Sequence, residues 1–211
     1  MKTVEQAAGV RLTTRDGTGL RTLAGLTAIR LDDMAHLLGA DRGQALGLRT
    51  TRGVVQRWTR VGLAEQIRPT ATHSVIVPTR TGCMWAGAEW NGIPTYAKLP
   101  HTLTVAALAV QYMAAGWTWT PESALIGYAH RPDGIAAREG GAIAVEAELH
   151  QKAAHRYDAI TDRLLSEGDW QQVHYWCPEP VAQALQRYCA QNLTTEEASR
   201  IRIMNLGRWA R

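Results

Sequence analysis

The sequence predicts a mixed α/β protein with a mainly helical N-terminal half and a C-terminal half built around a β-sheet. Before residue 62, three consecutive segments have helix-like apolar spacing, and two short extended segments follow them. After residue 101, helix-like and strand-like segments alternate. Between these regions, residues 79–99 change in composition and contain several turn-forming Gly and Pro residues, which favours a domain boundary there.

The composition is that of an ordinary globular protein with one or two domains, since 45% of the 211 residues are hydrophobic and 20% are charged. Even residues 104–115 are too short an apolar stretch to span a bilayer, and residues 1–6 lack the apolar core of a signal peptide. We therefore expect no membrane partner. The three cysteines lack metal-ligand spacing, which favours reduced thiols and a cytoplasmic location.

The charges of the chain are unevenly distributed. A net charge of +4 permits nucleic-acid binding without requiring it. The segment from residue 42 to residue 80 is strongly basic, because Glu65 is its one acidic residue. Its arginines are Arg42, Arg49, Arg52, Arg57, Arg60, Arg68 and Arg80. We therefore expect the N-terminal half to carry the basic surface and the C-terminal half to carry an acidic cluster.

Three helices are predicted in the N-terminal half, over residues 20–28, 31–38 and 48–61. Gly39 and Gly62 are placed to end the second and the third helix. The third helix has one apolar side, and its remaining positions are polar and rich in arginine. The apolar side consists of Leu48, Val55, Trp58 and Val61.

A β-hairpin is predicted after the third helix, from the extended segments 63–68 and 74–77. Three helices followed by a hairpin resemble winged helix-turn-helix domains, in which the third helix enters the major groove and the wing contacts the DNA backbone. Double-stranded DNA is therefore the expected partner. The predicted contacts are Arg49, Arg52, Gln56, Arg60 and Arg68. The alternative is a winged helix that binds protein, often for dimerisation, which would make the chain a homodimer.

We predict a winged-helix domain over residues 1–86, a linker over 87–100 and a second domain over 101–211. The predicted order in the second domain is α-β-β-β-α-β-α-β. The elements are a helix at 101–115, a strand region at 117–119 and 123–128, strands at 132–136 and 142–148, a helix at 149–166, a strand at 172–177, a helix at 180–191 and a strand at 200–206. A crossover helix joins the third and fourth strands, so we expect those two strands to be parallel.

Three acidic residues, Asp133, Glu146 and Glu148, are expected on the second and third strands of this domain. Because side chains two apart in a strand share a face, Glu146 and Glu148 point the same way. Two like charges on an otherwise apolar strand are costly unless a cation compensates them, and clustered carboxylates suit Mg²⁺. The alternative is an edge strand whose acids are solvated or paired with Lys152 and Arg156.

This order of elements, with Asp133 on the second strand and Glu146 and Glu148 on the third, resembles the PD-(D/E)XK nuclease superfamily, which has a restriction-endonuclease-like αβββαβ core with a mixed central sheet. The local motifs are Pro-Asp-Gly at 132–134, Val-Glu-Ala-Glu-Leu-His-Gln-Lys at 145–152 and the pair Arg156-Tyr157. With the preceding winged helix, they resemble the replication-relaxation family of actinobacterial plasmids and integrated elements. The resemblance extends over most of residues 20–190.

The resemblance implies roles for individual residues and a divalent cofactor, Mg²⁺ or Mn²⁺. Asp133 corresponds to the acid that bridges metals, and Glu146 to the second ligand. The third motif position usually carries a Lys that positions or activates the attacking water, but here it is Glu148, which would act as a further ligand or proton acceptor. Lys152 would supply the missing positive charge, and Glu122 would be an additional upstream acid.

Three functions follow as hypotheses. The first is a DNA-binding protein of a mobile element that hydrolyses phosphodiesters in plasmid replication or maintenance, together with replication proteins or others encoded by the element. The second, motivated by Glu148 in the Lys position, is a non-catalytic DNA-binding regulator or replication accessory protein with a degenerate nuclease fold. The third is a protein-interaction module. The histidines, His130 among them, lack the spacing of a zinc site and are interpreted as surface or capping residues.

Overall fold

The computed structural model describes residues 5–7, 10–69, 74–125, 127, 130–166 and 169–207. The chain divides into two compact units, Met1–Ala114 and Ala115–Arg211. The first unit is helical with small antiparallel sheets, and the second contains a five-stranded mixed sheet with flanking helices. The predicted mixed α/β class is therefore confirmed. Among the described residues, none of the helices combines the length and the apolar character needed to cross a membrane.

The first unit contains five α-helices and five strands among its described residues. They are β1 Glu5–Ala7, β2 Val10–Leu12, α1 Thr14–Leu26, β3 Ile29–Arg30, α2 Leu31–Gly39, α3 Leu48–Arg60, β4 Ala64–Ile67, β5 Val75–Pro78, α4 Arg80–Ala86 and α5 Leu99–Ala114. Strands β1 and β2 pair with each other, and β5 lies between β3 and β4 in an antiparallel sheet. The predicted hairpin is thus present, but residues 70–73 at its turn lie outside the described residues.

Helix α1 begins six residues before the predicted helix at 20–28, because a capping box starts it. The Thr13 side chain accepts a hydrogen bond from the backbone N–H of Asp16, and the Asp16 carboxylate accepts one from the backbone N–H of Thr13. The helix ends at Leu26 because Thr27 adopts a left-handed conformation with φ of 63°.

Helix α3 has the predicted amphipathic character, with one correction. It buries Thr51, Val54, Val55 and Trp58 against the rest of the unit. Leu48, predicted on the apolar side, is 41% exposed instead. It is the first residue of the helix, where the chain has only begun to approach the core.

Helix α5 belongs to the first unit, whereas the sequence predicts it in the second domain, after a linker at residues 87–100. Its Leu99 and Leu103 pack with Ala28, Val75 and Val77 in one apolar cluster. Because these contacts tie α5 to the small sheet, the first unit extends to Ala114. Residues 80–86, directly before the predicted linker, form the short helix α4, which the sequence does not predict.

The second unit contains β6 Thr118–Pro121, β7 Gly134–Arg138, β8 Gly141–Ala147, α6 Ala154–Ser166, β9 Gln172–Cys177, α7 Glu179–Asn192, α8 Thr195–Arg200 and β10 Ile201–Asn205. The sheet order is β10-β9-β8-β7-β6. Strands β6, β7 and β8 pair antiparallel, while β8, β9 and β10 pair in parallel. The predicted parallel pairing across the crossover helix is confirmed.

Two predicted elements of the second unit differ from the structure. Residues 122–124 form a 3-10 turn rather than the strand expected at 123–128, and residues 126, 128 and 129 lie outside the described residues. Helix α6 begins at Ala154 rather than at residue 149. The backbone N–H of Glu148 still donates to the carbonyl of Trp176 at 2.9 Å, so the chain follows the sheet past the end of β8 before it turns into the helix.

Candidate functional site

The candidate site lies where β7 begins and the neighbouring strand β8 ends. Asp133 immediately precedes β7, Glu146 lies in β8, and Glu148 immediately follows β8. The register pairs Gly134 with Val145, which brings Asp133 to the level of Glu146. The backbone N–H of Ala147 donates to Oδ2 of Asp133 at 2.7 Å and holds that carboxylate at the end of β8.

A glycine next to Asp133 allows close packing at this point. Gly134 faces the indole ring of Trp119 on β6, and a Cβ atom at residue 134 would collide with that ring. A side chain there would have to push β6 and β7 apart. The Asp-Gly sequence therefore lets Asp133 sit beside β8 while Trp119 covers the strand behind it.

Glu146 and Glu148 are buried in the middle of the sheet, not solvated at its edge. Strand β8 is the central strand of five, and Glu146 and Glu148 are each only 6% exposed. The edge-strand alternative is therefore wrong about the position of the strand and the solvation of these acids. The pairing with Lys152 that it predicted is present at Glu148. A carboxylate that loses water in this way needs hydrogen bonds, a cation or a proton to offset the cost.

Glu146 has a histidine partner and an acidic neighbour. The Nε2 atom of His130 lies 3.0 Å from Oε1 of Glu146. Burial raises the pKa of Glu146 to about 7, and the negative charge of Asp133 acts in the same direction. The hydrogen bond to His130 and the charge of Lys152 oppose this rise but do not cancel it. Glu146 is thus a carboxyl group whose protonation can change near neutral pH.

His130 is a site residue that the spacing along the chain did not predict. The hydrogen bond to Glu146 raises the pKa of His130, and the partial burial of the imidazole opposes that shift. The sequence predicts a surface or capping residue here, because His130 has no metal-ligand spacing. Its partner is 16 residues away along the chain, and only the pairing of β7 with β8 brings the two together.

Glu148 is paired with Lys152. The ammonium group of Lys152 contacts Oε2 of Glu148 directly. The backbone N–H of Lys152 donates to the hydroxyl oxygen of the buried Tyr157 at 3.1 Å, which anchors the connection before α6. The sequence predicts Lys152 within the helix at 149–166, but it precedes the first residue of α6. The positive charge of Lys152 nevertheless reaches Glu148.

A second buried hydroxyl lies beside the acids. Tyr175 on β9 is in register with Glu146 on β8 and is 1% exposed. Burial raises the pKa of Tyr175 well above its usual value, and the negative charges of Glu146 and Glu148 act in the same direction. Tyr175 had no predicted role, since a tyrosine in a central strand is usually a core residue.

The side chain of Glu122 does not join the buried acids Glu146 and Glu148. Its carboxylate is half exposed and lies 3.4 Å from the guanidinium of Arg131. In the part of the chain that the structure describes, no three His, Cys, Asp or Glu side chains are arranged to hold a metal ion. The acids that the structure does bring together are Asp133 and Glu146.

In the first unit, all the predicted DNA-binding residues are exposed to solvent. Arg49, Arg52, Gln56 and Arg60 lie on the solvent side of α3, and Arg68 is exposed just after β4. Arg57 behaves differently, because its guanidinium donates to Oδ1 of the buried Asp16 at 2.7 Å.

The chain matches no protein-family model, no curated protein and no solved structure. The resemblance to the replication-relaxation family therefore stays a prediction, resting on short motifs and on the order of elements. A function for this protein has to be inferred from the site itself.

Proposed function

We propose that this chain is a DNA-binding protein of a mobile element with two functional parts. A winged helix in the first unit docks on double-stranded DNA, and a restriction-endonuclease-like domain hydrolyses a phosphodiester bond in plasmid replication or maintenance. The observation that carries the proposal is the pair of adjacent acids, Asp133 and Glu146, at the meeting point of β7 and β8, with Glu148 and Lys152 beside them.

The burial of the acidic site supports a binding function over a purely structural one. A buried carboxylate with a structural role is normally neutralised by its own hydrogen bonds. Glu146 has a hydrogen bond with His130, but it also lies near a second acid, and its pKa is still raised to about 7. Perturbed carboxyl groups of this kind are concentrated at functional sites.

The exposed side of α3 supports DNA as the ligand of the first unit. Its outward positions carry Arg49, Arg52 and Arg60 with Gln56 between them, and the helix has no acidic residue in its first turn. Arginines supply contacts to phosphates and guanine edges, and glutamine can read adenine. The hairpin β4–β5 next to this helix has the order expected of a wing.

The two-carboxylate set fits Mg²⁺ or Mn²⁺ completed by water and DNA. Mg²⁺ is usually held by one or two carboxylates plus substrate phosphates and keeps several waters. Asp133 and Glu146 would hold the ion, and their like charges are the kind of pair that a cation stabilises. When bound, such an ion stabilises negative charge on a phosphate and lowers the pKa of water.

The chain's own residues would then act on the phosphate and on the attacking water. In hydrolysis the water oxygen bonds to phosphorus, one ester oxygen leaves and a water proton must be accepted. Glu148 would accept that proton. Lys152, whose ammonium already contacts Glu148, would offset the negative charge that develops on the phosphate.

Two observations favour a second candidate, a DNA-binding regulator or replication accessory protein that does not cleave. Lys152 is engaged by Glu148, and the described residues contain no ready three-ligand metal group. If the Glu148–Lys152 pair only neutralises the end of β8, the domain is a scaffold with a degenerate nuclease site.

Cleavage of supercoiled plasmid in the presence of Mg²⁺ or Mn²⁺ tests the proposal. We expect the wild type and Glu139→Gln, a control at an exposed acid between β7 and β8, to cleave, and Asp133→Asn to lose cleavage. Tight binding without cleavage of single-stranded, duplex, supercoiled or branched DNA would favour the scaffold. Absence of binding would overturn both candidates and leave a protein-interaction module, whose dimeric state can be measured by light scattering.

The DNA-binding part is tested separately by the salt dependence of affinity. The triple variant Arg49→Ala, Arg52→Ala, Arg60→Ala should bind duplex DNA more weakly, with a salt slope reduced by about 1 for each phosphate that is no longer neutralised. Arg187→Ala, at an exposed arginine of the second unit, is the control for net charge. An unchanged slope in the triple variant would remove α3 from the proposed interface.

A further inference from the structure

His130 reaches the acidic site from the segment that precedes β7. Its Nε2 atom lies 3.0 Å from Oε1 of Glu146, and its side chain is 24% exposed while that of Glu146 is 8% exposed. When Glu146 is ionised, its carboxylate oxygen can only accept a hydrogen bond, and Nε2 of His130 then carries the proton and donates it. The imidazole is therefore partly exposed to solvent at one side and hydrogen-bonded to a buried carboxylate at the other.

We propose that His130 is a positioning residue for the divalent cation. By engaging Oε1, the imidazole fixes the rotation of the Glu146 carboxylate and hence the direction of its second oxygen, Oε2. Carboxylates that ligate metals are themselves oriented by hydrogen-bond partners, and loss of such a partner typically lowers metal affinity about 10–100-fold. The inference rests on the proposed function, since it assigns His130 a role toward the ion held by Asp133 and Glu146.

The two carboxylates are held in different ways, which makes the role of His130 testable. Asp133 is fixed by a backbone donor, the N–H of Ala147 at 2.7 Å, and no side-chain substitution removes that donor. Glu146 is fixed by a side chain that can be exchanged. Because His130 is partly exposed, its replacement should leave no large cavity in the core, and the variant should remain folded.

The test measures Mn²⁺ affinity of the full-length chain by calorimetry or by the electron paramagnetic resonance of free Mn²⁺. We expect His130→Ala to weaken binding about 10–100-fold. His130→Asn is too short to reach Glu146 and should behave like the Ala variant. His130→Gln carries an amide donor of similar reach and should recover most of the affinity. His155→Ala, at an exposed histidine of α6, should bind as the wild type does.

The outcomes separate this inference from the proposed function. If the wild type binds no Mn²⁺, with or without DNA, the metal site itself is wrong and the inference fails with it. If the wild type binds Mn²⁺ in an Asp133-dependent manner and His130→Ala binds equally tightly, only the role of His130 is overturned. Tighter binding by His130→Ala would also overturn it, because the imidazole would then compete with the cation.

Discussion

Asp16 in the first unit and Glu146 in the second are both buried acids, 1% and 6% exposed, but their surroundings shift the pKa in opposite directions. Burial favours the neutral form of Asp16, yet hydrogen bonds from Thr13, Trp58 and Arg57 outweigh it and leave the pKa lowered. Burial of Glu146 and the charge of Asp133 outweigh the effects of His130 and Lys152 and raise the pKa of Glu146 to about 7.

The difference between the two acids separates a structural carboxylate from a candidate functional one. Asp16 has a full set of donors and joins the start of α1 to the end of α3, including the indole N–H of Trp58 at 2.9 Å. Its surroundings already stabilise the anion. The surroundings of Glu146 disfavour its ionised form, so a bound cation would stabilise this carboxylate more than it would stabilise Asp16.

The largest effect is expected from Asp16→Ala, which removes the acceptor for Arg57 and Trp58. Losing one partner of a buried, hydrogen-bonded pair leaves the other groups unsatisfied and typically costs about 3–5 kcal/mol. We expect about 3 kcal/mol in the unfolding free energy of the first unit, measured by denaturant titration, because Arg57 is partly exposed. Asp41→Ala, at an acid 62% exposed and 3.8 Å from Arg15, should change stability by less than about 0.5 kcal/mol. Equal effects in the two variants would contradict the comparison.

The next effect concerns Lys152, whose ammonium group contacts Glu148 in the second unit. If Lys152 offsets charge in the transition state, Lys152→Ala should lower cleavage about 100-fold, or about 2.7 kcal/mol, with little loss of DNA affinity. Lys152→Arg should rescue poorly, since a planar guanidinium does not replace a compact ammonium. Cleavage that survives in Lys152→Ala would show that the lysine only neutralises Glu148.

Glu146→Gln should raise the stability of the second unit in metal-free buffer at pH 8, where Glu146 is ionised. The amide keeps an oxygen that can accept from His130 but removes the repulsion with Asp133. We expect a gain on the order of 2 kcal/mol by thermal or denaturant unfolding. The corresponding change at the satisfied acid, Asp16→Asn, should destabilise the first unit instead. A loss of stability in Glu146→Gln would show that Glu146 is a structural carboxylate like Asp16.

The last prediction is a pH dependence that distinguishes two acids of the first unit, Asp33 and Asp16. Burial raises the pKa of Asp33 from 3.8 to about 6, although Arg30 opposes the shift. Between these values the folded chain keeps a proton that the unfolded chain releases, so stability falls as pH rises from about 4 to 6. Asp16, with its lowered pKa, acts in the opposite direction, since near pH 4 the unfolded chain binds the proton that the folded chain has released, and it adds almost no slope above about pH 5. Asp33→Asn should therefore flatten the unfolding free energy of the first unit between pH 4 and 6, and an unchanged slope would contradict this.

Much of the local structure could be predicted from the sequence, because apolar spacing is a local property. Strand β9 has the predicted bounds, 172–177, and the hairpin β4–β5 and the helices α2 and α3 lie within one or two residues of expectation. The parallel pairing of β8 and β9 followed from the crossover helix between them. Helix α1 starts earlier than its apolar spacing indicates because Thr13 caps it.

Tertiary structure alone decided which side chains meet. The sequence indicated that Asp133, Glu146 and Glu148 belong together, but it predicted neither the burial of Glu146 and Glu148 at the end of a central strand nor the contact of His130 with Glu146. Such contacts depend on sheet order and register, which no short motif encodes. The same reason explains Asp16, whose partner Trp58 lies 42 residues away, and α5, which joined the first unit by packing on Ala28 and Val75. Spacing along the chain determined the elements, and the pairing of distant elements determined the site.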